Sequence, residues 1–393
     1  MVSMQRLNGA RILIVLPSLA AGGAERQAFL LARYLKKNEG ARVRLVGLGP
    51  VGAIATSCDQ AGIPHGRFEL HHQYRQRMKQ ALDVVRFIAF LRKERAQVVL
   101  PYCMFQNILC GLTWRLGGAR VCIWNQRDEG RSRVEPWVER LAIFQVRCFV
   151  SNSRHGAEFL TSTLGVKPER AHWVPNGIEI PEPKLSRSGW RAKVSVSEDA
   201  FVACMVANLH GFKDHQTLVA AWRRVVDRLG SRGTDAHLLL AGLHGDRYES
   251  VSKQVRDLAL TEHVQFLGEV ADVSGLLASV DLSVFSSHSE GVPNAVLEAM
   301  AAGLAVVGTD YPGIREAVGP AGVPLLVRPR DPEELAEKIV AAALEPRLRA
   351  AVGEAGKLRA ATEFGLAAMC DRMVERIVAE WPGRPPSELP VKN

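Results

Sequence analysis

The chain has 393 residues, enough for two packed domains, and 47% of them are apolar, but no apolar run approaches the roughly 18 residues that cross a bilayer. Seven cysteines (58, 103, 110, 122, 148, 204 and 370) are scattered without a C-x-x-C pair, which argues for reduced thiols in a cytoplasmic protein and against a disulfide or zinc framework. The net charge of +9 is unevenly held: residues 1–180 carry 26 Lys/Arg against 13 Asp/Glu, the remainder 24 against 28. A basic half suits an anionic partner. Zinc-finger spacing and RNP-type aromatic motifs are missing from the sequence, so an anionic membrane surface is expected in preference to nucleic acid.

In chain order, short β-branched-rich runs alternate with helical patterns. They fall at 11–18, 42–49, 98–103, 121–125, 148–152 and 172–175, then at 201–207, 237–242, 264–267, 282–285, 305–309 and 324–327. Such alternation predicts parallel, doubly wound sheets covered on both faces. The first run follows Arg6 and Arg11, as a secretory leader would, but a buried strand also explains the Gly turn and helix behind it. The Pro/Ser-rich stretch 181–188 separates the two series. The expected organisation is an α/β chain of two Rossmann-like domains, 1–182 and 201–361, joined by a linker at 183–200. A C-terminal helix at 362–381 is expected to cross back to the first domain, ahead of a tail at 382–393. Ligands of open α/β sheets sit beyond the carboxyl ends of the strands, so two such domains facing each other are expected to hold the site in the cleft between them.

Several segments then carry chemistry. Gly22-Gly23 after the first strand lets a backbone approach a ligand closely, ahead of a helix N-terminus. Trp124-Asn125-Gln126-Arg127-Asp128-Glu129 follows a later strand; Arg127 and Asp128 either orient an acceptor or cap the next helix. Asn208 and Lys213 lie in the loop after the strand 201–207, and Leu267-Gly268 end the strand 264–267. The densest segment runs from Ser289 to Gly303. Glu290 and Glu298 lie eight residues apart around a helix start, with Pro293 expected in the first helical turn and Gly303 ending the helix about three turns later. Backbone N–H groups at Val292, Asn294 and Ala295 at such a strand-to-helix turn suit a phosphate, and the flanking carboxylates suit sugar hydroxyls. Together they point to a nucleotide-sugar.

This segment, with its continuation Ala305-Val306-Val307-Gly308-Thr309-Asp310, resembles the Glu-x7-Glu motif of the retaining glycosyltransferases of family 4. The resemblance implies the GT-B architecture. By matched position it implies that Glu290 meets the donor sugar, that Glu298 binds the ribose, and that Gly291, Val292, Pro293, Asn294 and Ala295 line the donor. Gly22-Gly23 matches the loop facing the donor diphosphate and the acceptor, and Leu267-Gly268 the border of the nucleobase. Lys213 matches a cation that neutralises the leaving diphosphate. Asn208 stands where the family usually has an Arg, and Arg127 where many relatives have a His. Pro312 replaces a Gly of the common Thr-Asp-x-Gly-Gly, which is expected to stiffen that loop. Val174-Pro175-Asn176-Gly177-Ile178 resembles a turn near the hinge.

The expected function is therefore retaining, metal-independent transfer of a sugar from a UDP- or GDP-linked donor to a hydroxyl acceptor. Lys213 and Glu290 are the expected catalytic pair, and no cofactor is expected. Family prevalence and the basic half point to a lipid-linked saccharide acceptor in cell-surface polysaccharide assembly, with the protein at the inner face of the membrane. Two rivals stand beside it: another sugar-nucleotide enzyme of epimerase or phosphorylase type, and a non-catalytic nucleotide-sugar-binding protein. The cations Arg67, His71, His72, Arg75, Arg77, Lys79 and Arg86, with Leu82, Val85, Phe87, Ile88 and Leu91, form an element that either lies on anionic headgroups or is an ordinary crossover helix, with Leu82, Val85, Ile88 and Leu91 packed on the sheet.

Overall fold

The structure, a computed structural model, describes residues 5–70, 77–127 and 134–381. His71, His72, Arg75, Asp128 and the tail 382–393 lie outside them, as do the side chains of Arg77 and Lys79. Two compact units divide the chain: the first runs up to Gly177 and resumes at Leu366, and the second is Ile178–Gly365.

The first unit is built from β1 (Arg11–Leu16), α1 (Gly23–Lys37), β2 (Arg42–Gly47), α2 (Ala53–Gln60), β3 (His65–Arg67), α3 (Arg77–Glu94), β4 (Val98–Pro101), α4 (Met104–Thr113), β5 (Val121–Gln126), α5 (Pro136–Gln145), β6 (Cys148–Ser151), α6 (Arg154–Glu158) and β7 (Ala171–Trp173). Its parallel sheet has the order β3-β2-β1-β4-β5-β6-β7. Alternate residues of β1 serve opposite cores: Ile12, Ile14 and Leu16 pack toward α1 and α2, Leu13 and Val15 toward α3, α4 and α5.

The second unit holds α7 (Arg187–Lys193), β8 (Phe201–Val206), α8 (His215–Gly230), β9 (Ala236–Ala241), α9 (Tyr248–Asp257), β10 (Val264–Gly268), α10 (Val273–Ser279), β11 (Leu282–Phe285), α11 (Asn294–Ala301), β12 (Val306–Thr309), α12 (Pro312–Gly322), β13 (Leu326–Val327), α13 (Pro332–Leu344) and α14 (Pro346–Glu363). Its sheet, also parallel, has the order β10-β9-β8-β11-β12-β13. The chain then returns to the first unit as α15 (Leu366–Ala379). There Met369, Cys370, Met373, Val374 and Ile377 complete the core behind α1, and Tyr34 Oη donates to Asp371 Oδ1 at 2.6 Å.

Every run expected as a strand contains one, the last only at Leu326–Val327, after a 3-10 turn at Val323–Leu325. β3 was not foreseen: His65-Gly66-Arg67 has no apolar pattern and is a strand because it pairs with Leu45-Val46-Gly47. Residues 183–200, expected as linker, hold α7. Ser186 caps it by accepting from Gly189 N, and Trp190 and Arg191 are buried, with Arg191 bonded to Asp281 and to the carbonyls of Ser197, Glu198, Ala200 and Ser279. The expected stripe on α3 is also corrected. Phe87 and Leu91 are buried with Asp83, whereas Leu82 and Val85 point to solvent and Ile88 is half-buried. The inward face follows 83-87-91, the i, i+4 row, and leaves 82 and 85 on the outside.

Candidate active site

In both sheets the strand order reverses beside the first strand of the unit, at β1/β4 and at β8/β11. Crevices at the carboxyl ends of strands flanking such a reversal are where open α/β sheets bind ligands. Two loops leave the reversal in the second unit, 207–214 after β8 and 286–293 after β11, and they are stitched together. Lys213 and Ser287 form an isolated antiparallel bridge, Asp214 N donates to Ser286 O at 3.0 Å, and His288 N donates to Phe212 O at 2.9 Å. The stitching lays Lys213 Nζ against Glu290 Oε1 as an ion pair, with side chains only 13% and 11% exposed. Ser287 Oγ donates to the same Oε1 at 2.8 Å, and Nζ stands 4.5 Å from the centre of the Phe285 ring.

Pro293 is the N-cap of α11, in extended conformation, and not a member of its first turn; the helix spans Asn294–Ala301, about two turns and not three. Leu297 N donates to Pro293 O at 3.3 Å, so the N–H groups of residues 294–296 precede the helical ladder. Glu290 lies before the helix and Glu298 within it, and both are buried. The start of α12 supports this loop. A Cβ on Gly313 would stand 2.0 Å from the Gly291 carbonyl oxygen, and Thr309 Oγ1 accepts from Ser287 N at 3.2 Å. Pro312 is at the start of α12, where a fixed φ suits the first turn.

The strand order β10-β9-β8-β11 sets Leu267, Gly268, Asn208, Lys213 and the 290–298 segment along one carboxyl edge. Asn208 Oδ1 accepts from Leu243 N at 2.9 Å, so the carboxamide in the usual Arg position pins the loop after β9. Gly268 O accepts from Gly242 N at 2.8 Å, and Leu267 packs on the core under α7 and α10. His215, 1% exposed, opens α8 behind Lys213; burial first, then the lysine charge, pushes its imidazole down to about 4.

In the first unit Gly22 is the N-cap of α1 and Gly23 its first residue. Glu25 folds back over them: a Cβ on Gly22 would stand 2.1 Å from Glu25 Oε2, and Ser18 Oγ donates to Glu25 Oε1 at 3.2 Å. Burial pushes the Glu25 carboxyl up. Ser18 and Ser287 carry no local signal in the sequence. Gly313 lies in the segment that resembles Thr-Asp-x-Gly-Gly, and Glu25 is an acid three residues after the N-cap, where it reaches back to the first turn as in a capping box. Arg127 donates from Nη1 to Asn176 Oδ1 at 2.9 Å and from Nη2 to Asn125 Oδ1 at 3.3 Å, and lies 4.5 Å over the Tyr102 ring. Among the described residues it caps no helix, α5 having Glu135 as its N-cap; it ties the ends of β4 and β5 to the Pro175-Asn176 turn. Among the described residues, no cluster of three or more His, Cys, Asp or Glu could hold a metal, and no helix is long and apolar enough to cross a membrane.

The family model for Glycosyltransferase Family 4 matches residues 21–181, and that for Glycosyl transferases group 1 matches residues 200–344. The chain carries a glycosyltransferase family 4 domain followed by a glycosyl transferases group 1 domain. A GDP-mannose-dependent monoacylated alpha-(1-6)-phosphatidylinositol monomannoside mannosyltransferase of Corynebacterium glutamicum is 27% identical over 56% of this chain and 58% of its own length. A UDP-Gal:alpha-D-GlcNAc-diphosphoundecaprenol alpha-1,3-galactosyltransferase of Escherichia coli is 22% identical over 60% of the chain and 63% of its own length. The matched stretch thus spans less than two thirds of these curated relatives. Among solved structures, Anabaena Alr3699/HepE in complex with UDP and glucose superposes with a TM-score of 0.80 at 19% identity, covering 94% of this chain and 99% of that one. The two parallel-sheet units are those of the GT-B fold.

Proposed function

We propose that this glycosyltransferase moves a sugar, with retention of configuration, from a nucleoside-diphospho-sugar to a hydroxyl of a lipid-linked saccharide. The observation that carries the reading is the Lys213–Glu290 pair at the β8/β11 reversal, next to the N-terminus of α11. A cation and a helix N-terminus suit a departing diphosphate. Glu290 then meets the donor sugar, and Glu298 the ribose. Gly291, Val292, Pro293, Asn294 and Ala295 surround the phosphates, and Leu267 and Gly268 border the base. Asn208 acts by holding the loop beside it. The anomeric carbon–oxygen bond to the β-phosphate breaks and the acceptor oxygen bonds to the same face. The acceptor proton goes to the released phosphate oxygen, so no separate base or metal is required. Arg127 stands on the acceptor side.

The named relatives use GDP-mannose or UDP-galactose and lipid-borne acceptors, which supports this donor class and this acceptor class. The lipid-borne acceptors of those relatives also support work at a membrane surface. The test is a panel of UDP- and GDP-sugars, with and without EDTA, scored by release of nucleoside diphosphate and by the anomeric NMR signal of the product. Release with an α-product from an α-donor, undiminished by EDTA, is expected. An inverted product or no release from any donor overturns the reading.

A further inference from the structure

α5 is inside out. Its inner row holds Glu139, Ala142 and Ile143, all buried, with Glu139 accepting from Val134 N. Its outer row holds Trp137, Leu141 and Phe144, which are 68%, 47% and 83% exposed at the i, i+4, i+7 spacing of a single stripe. Leu116, in the turn after the neighbouring α4, is 57% exposed. Large apolar side chains standing free in a row mark an interaction surface.

Arginines edge the stripe. Arg140 lies within it, Arg147 follows the helix, and Arg115 adjoins Leu116; all three are exposed. Phe144 lines an open concavity with Arg115, Arg147, Arg170 and Glu380. Arg170 and Arg115 are held there by the carbonyls of Ile143 and Gln145. Glu135 is the exposed acid at the other end. A second copy docked by two-fold symmetry would set these arginines against themselves, whereas anionic headgroups take arginines at the rim and Trp and Phe at the acyl boundary.

We propose that the outer face of α5, with Trp137, Leu141 and Phe144 as its apolar wedge and Arg115, Arg140 and Arg147 as its cations, docks on an anionic lipid bilayer. This rests on the lipid-linked acceptor reading only in naming why the enzyme meets a membrane, since docking needs no turnover. α3 and α5 cover the same face of the sheet, so Leu82 and Val85 belong to the same helical layer, but Arg86 is already bonded to Asp83 at 2.9 Å.

The experiment is co-sedimentation with phosphatidylcholine vesicles carrying rising fractions of phosphatidylglycerol, at low and high salt. Thermal unfolding, nucleoside diphosphate release and solution mass are measured in parallel. Wild type is expected to bind in proportion to the anionic lipid. Trp137→Ser with Phe144→Ser should bind about tenfold or more weakly, and Arg140→Gln with Arg147→Gln should lose the salt-sensitive part. Brominated acyl chains should quench wild-type fluorescence more than that of Trp137→Phe. Absence of wild-type binding at low salt, or equal binding by the serine variant, overturns the proposal. So does a wild-type dimer that the serine substitutions make monomeric without any vesicle binding, which assigns the face to a second copy. Loss of nucleotide release with vesicle binding intact strikes the functional reading and not this one.

Discussion

Lys213 and Glu290, 77 residues apart in sequence, neutralise each other across the loops that leave β8 and β11. The contact exists because Ser287 lies opposite Lys213 in an antiparallel bridge and donates to the same carboxylate oxygen. The pairing therefore leaves the cation desolvated, aimed and charge-balanced within the protein. A diphosphate would share or take it.

Removing either partner should lower kcat by about 10²-fold or more, with Lys213→Arg keeping part of the activity. Lys213→Ala combined with Glu290→Gln should be little worse than the more damaging single change, because contacting residues couple by about 0.5–3 kcal/mol. Single-turnover kinetics on the four proteins of the cycle checks this; additive losses would show that the two side chains act apart.

Glu298→Ala should weaken nucleoside diphosphate binding by tens of fold, since charge-assisted hydrogen bonds are worth about 1.5–3 kcal/mol each. Calorimetry on the folded variant decides, and unchanged affinity removes Glu298 from the ribose.

Asn208→Arg brings back the usual cation but discards the bond that Leu243 N makes to the carboxamide. The expected result is a loss of about 1 kcal/mol of stability with no gain in diphosphate affinity, while Asn208→Asp keeps the acceptor and most of the stability. Tighter binding by the Arg variant would mean that the site merely lacks a charge.

Gly313→Ala places a methyl group against the Gly291 carbonyl. Because the obstacle is backbone, the loop must move, at about 1–3 kcal/mol. Donor affinity should fall more than the melting temperature alone suggests, which titration against the Gly308→Ala control would reveal.

His215 gives a pH signature. Its pKa is about 4 in the fold, below the ordinary value of 6.5, so the unfolded chain binds the extra proton between these values. Stability is intact above 6.5 and drains as pH falls toward 4, by about 3 kcal/mol in all. Thermal unfolding from neutral to acid pH should show this slope, and His215→Gln should flatten it.

Much of this arrangement was readable in the sequence, and the exceptions share a cause. β8 and β11 were plain because a buried parallel strand must be apolar throughout, and the 290–298 segment because its glycine, proline and acids follow helix-start chemistry. β3 escaped because three residues on a sheet edge need no pattern beyond a partner. The twist of α3 escaped because apolar residues fill both 82-85-88 and 84-87-91, and only the sheet decides which row turns inward. Ser287 was silent for another reason: its importance comes from a bridge to residue 213, and no local spacing encodes that.

The return of α15 to the first sheet has a consequence for synthesis. A ribosome releases residues up to Gly177 first, yet the hydrophobic surface behind α1 lacks Met369, Cys370, Met373, Val374 and Ile377 until residues 369–377 have emerged. The second unit is continuous and can close while the earlier one waits with an open seam. Nascent chains halted before residue 366 should therefore recruit holdase chaperones and yield to protease within the first 177 residues, and chains extended past 379 should not.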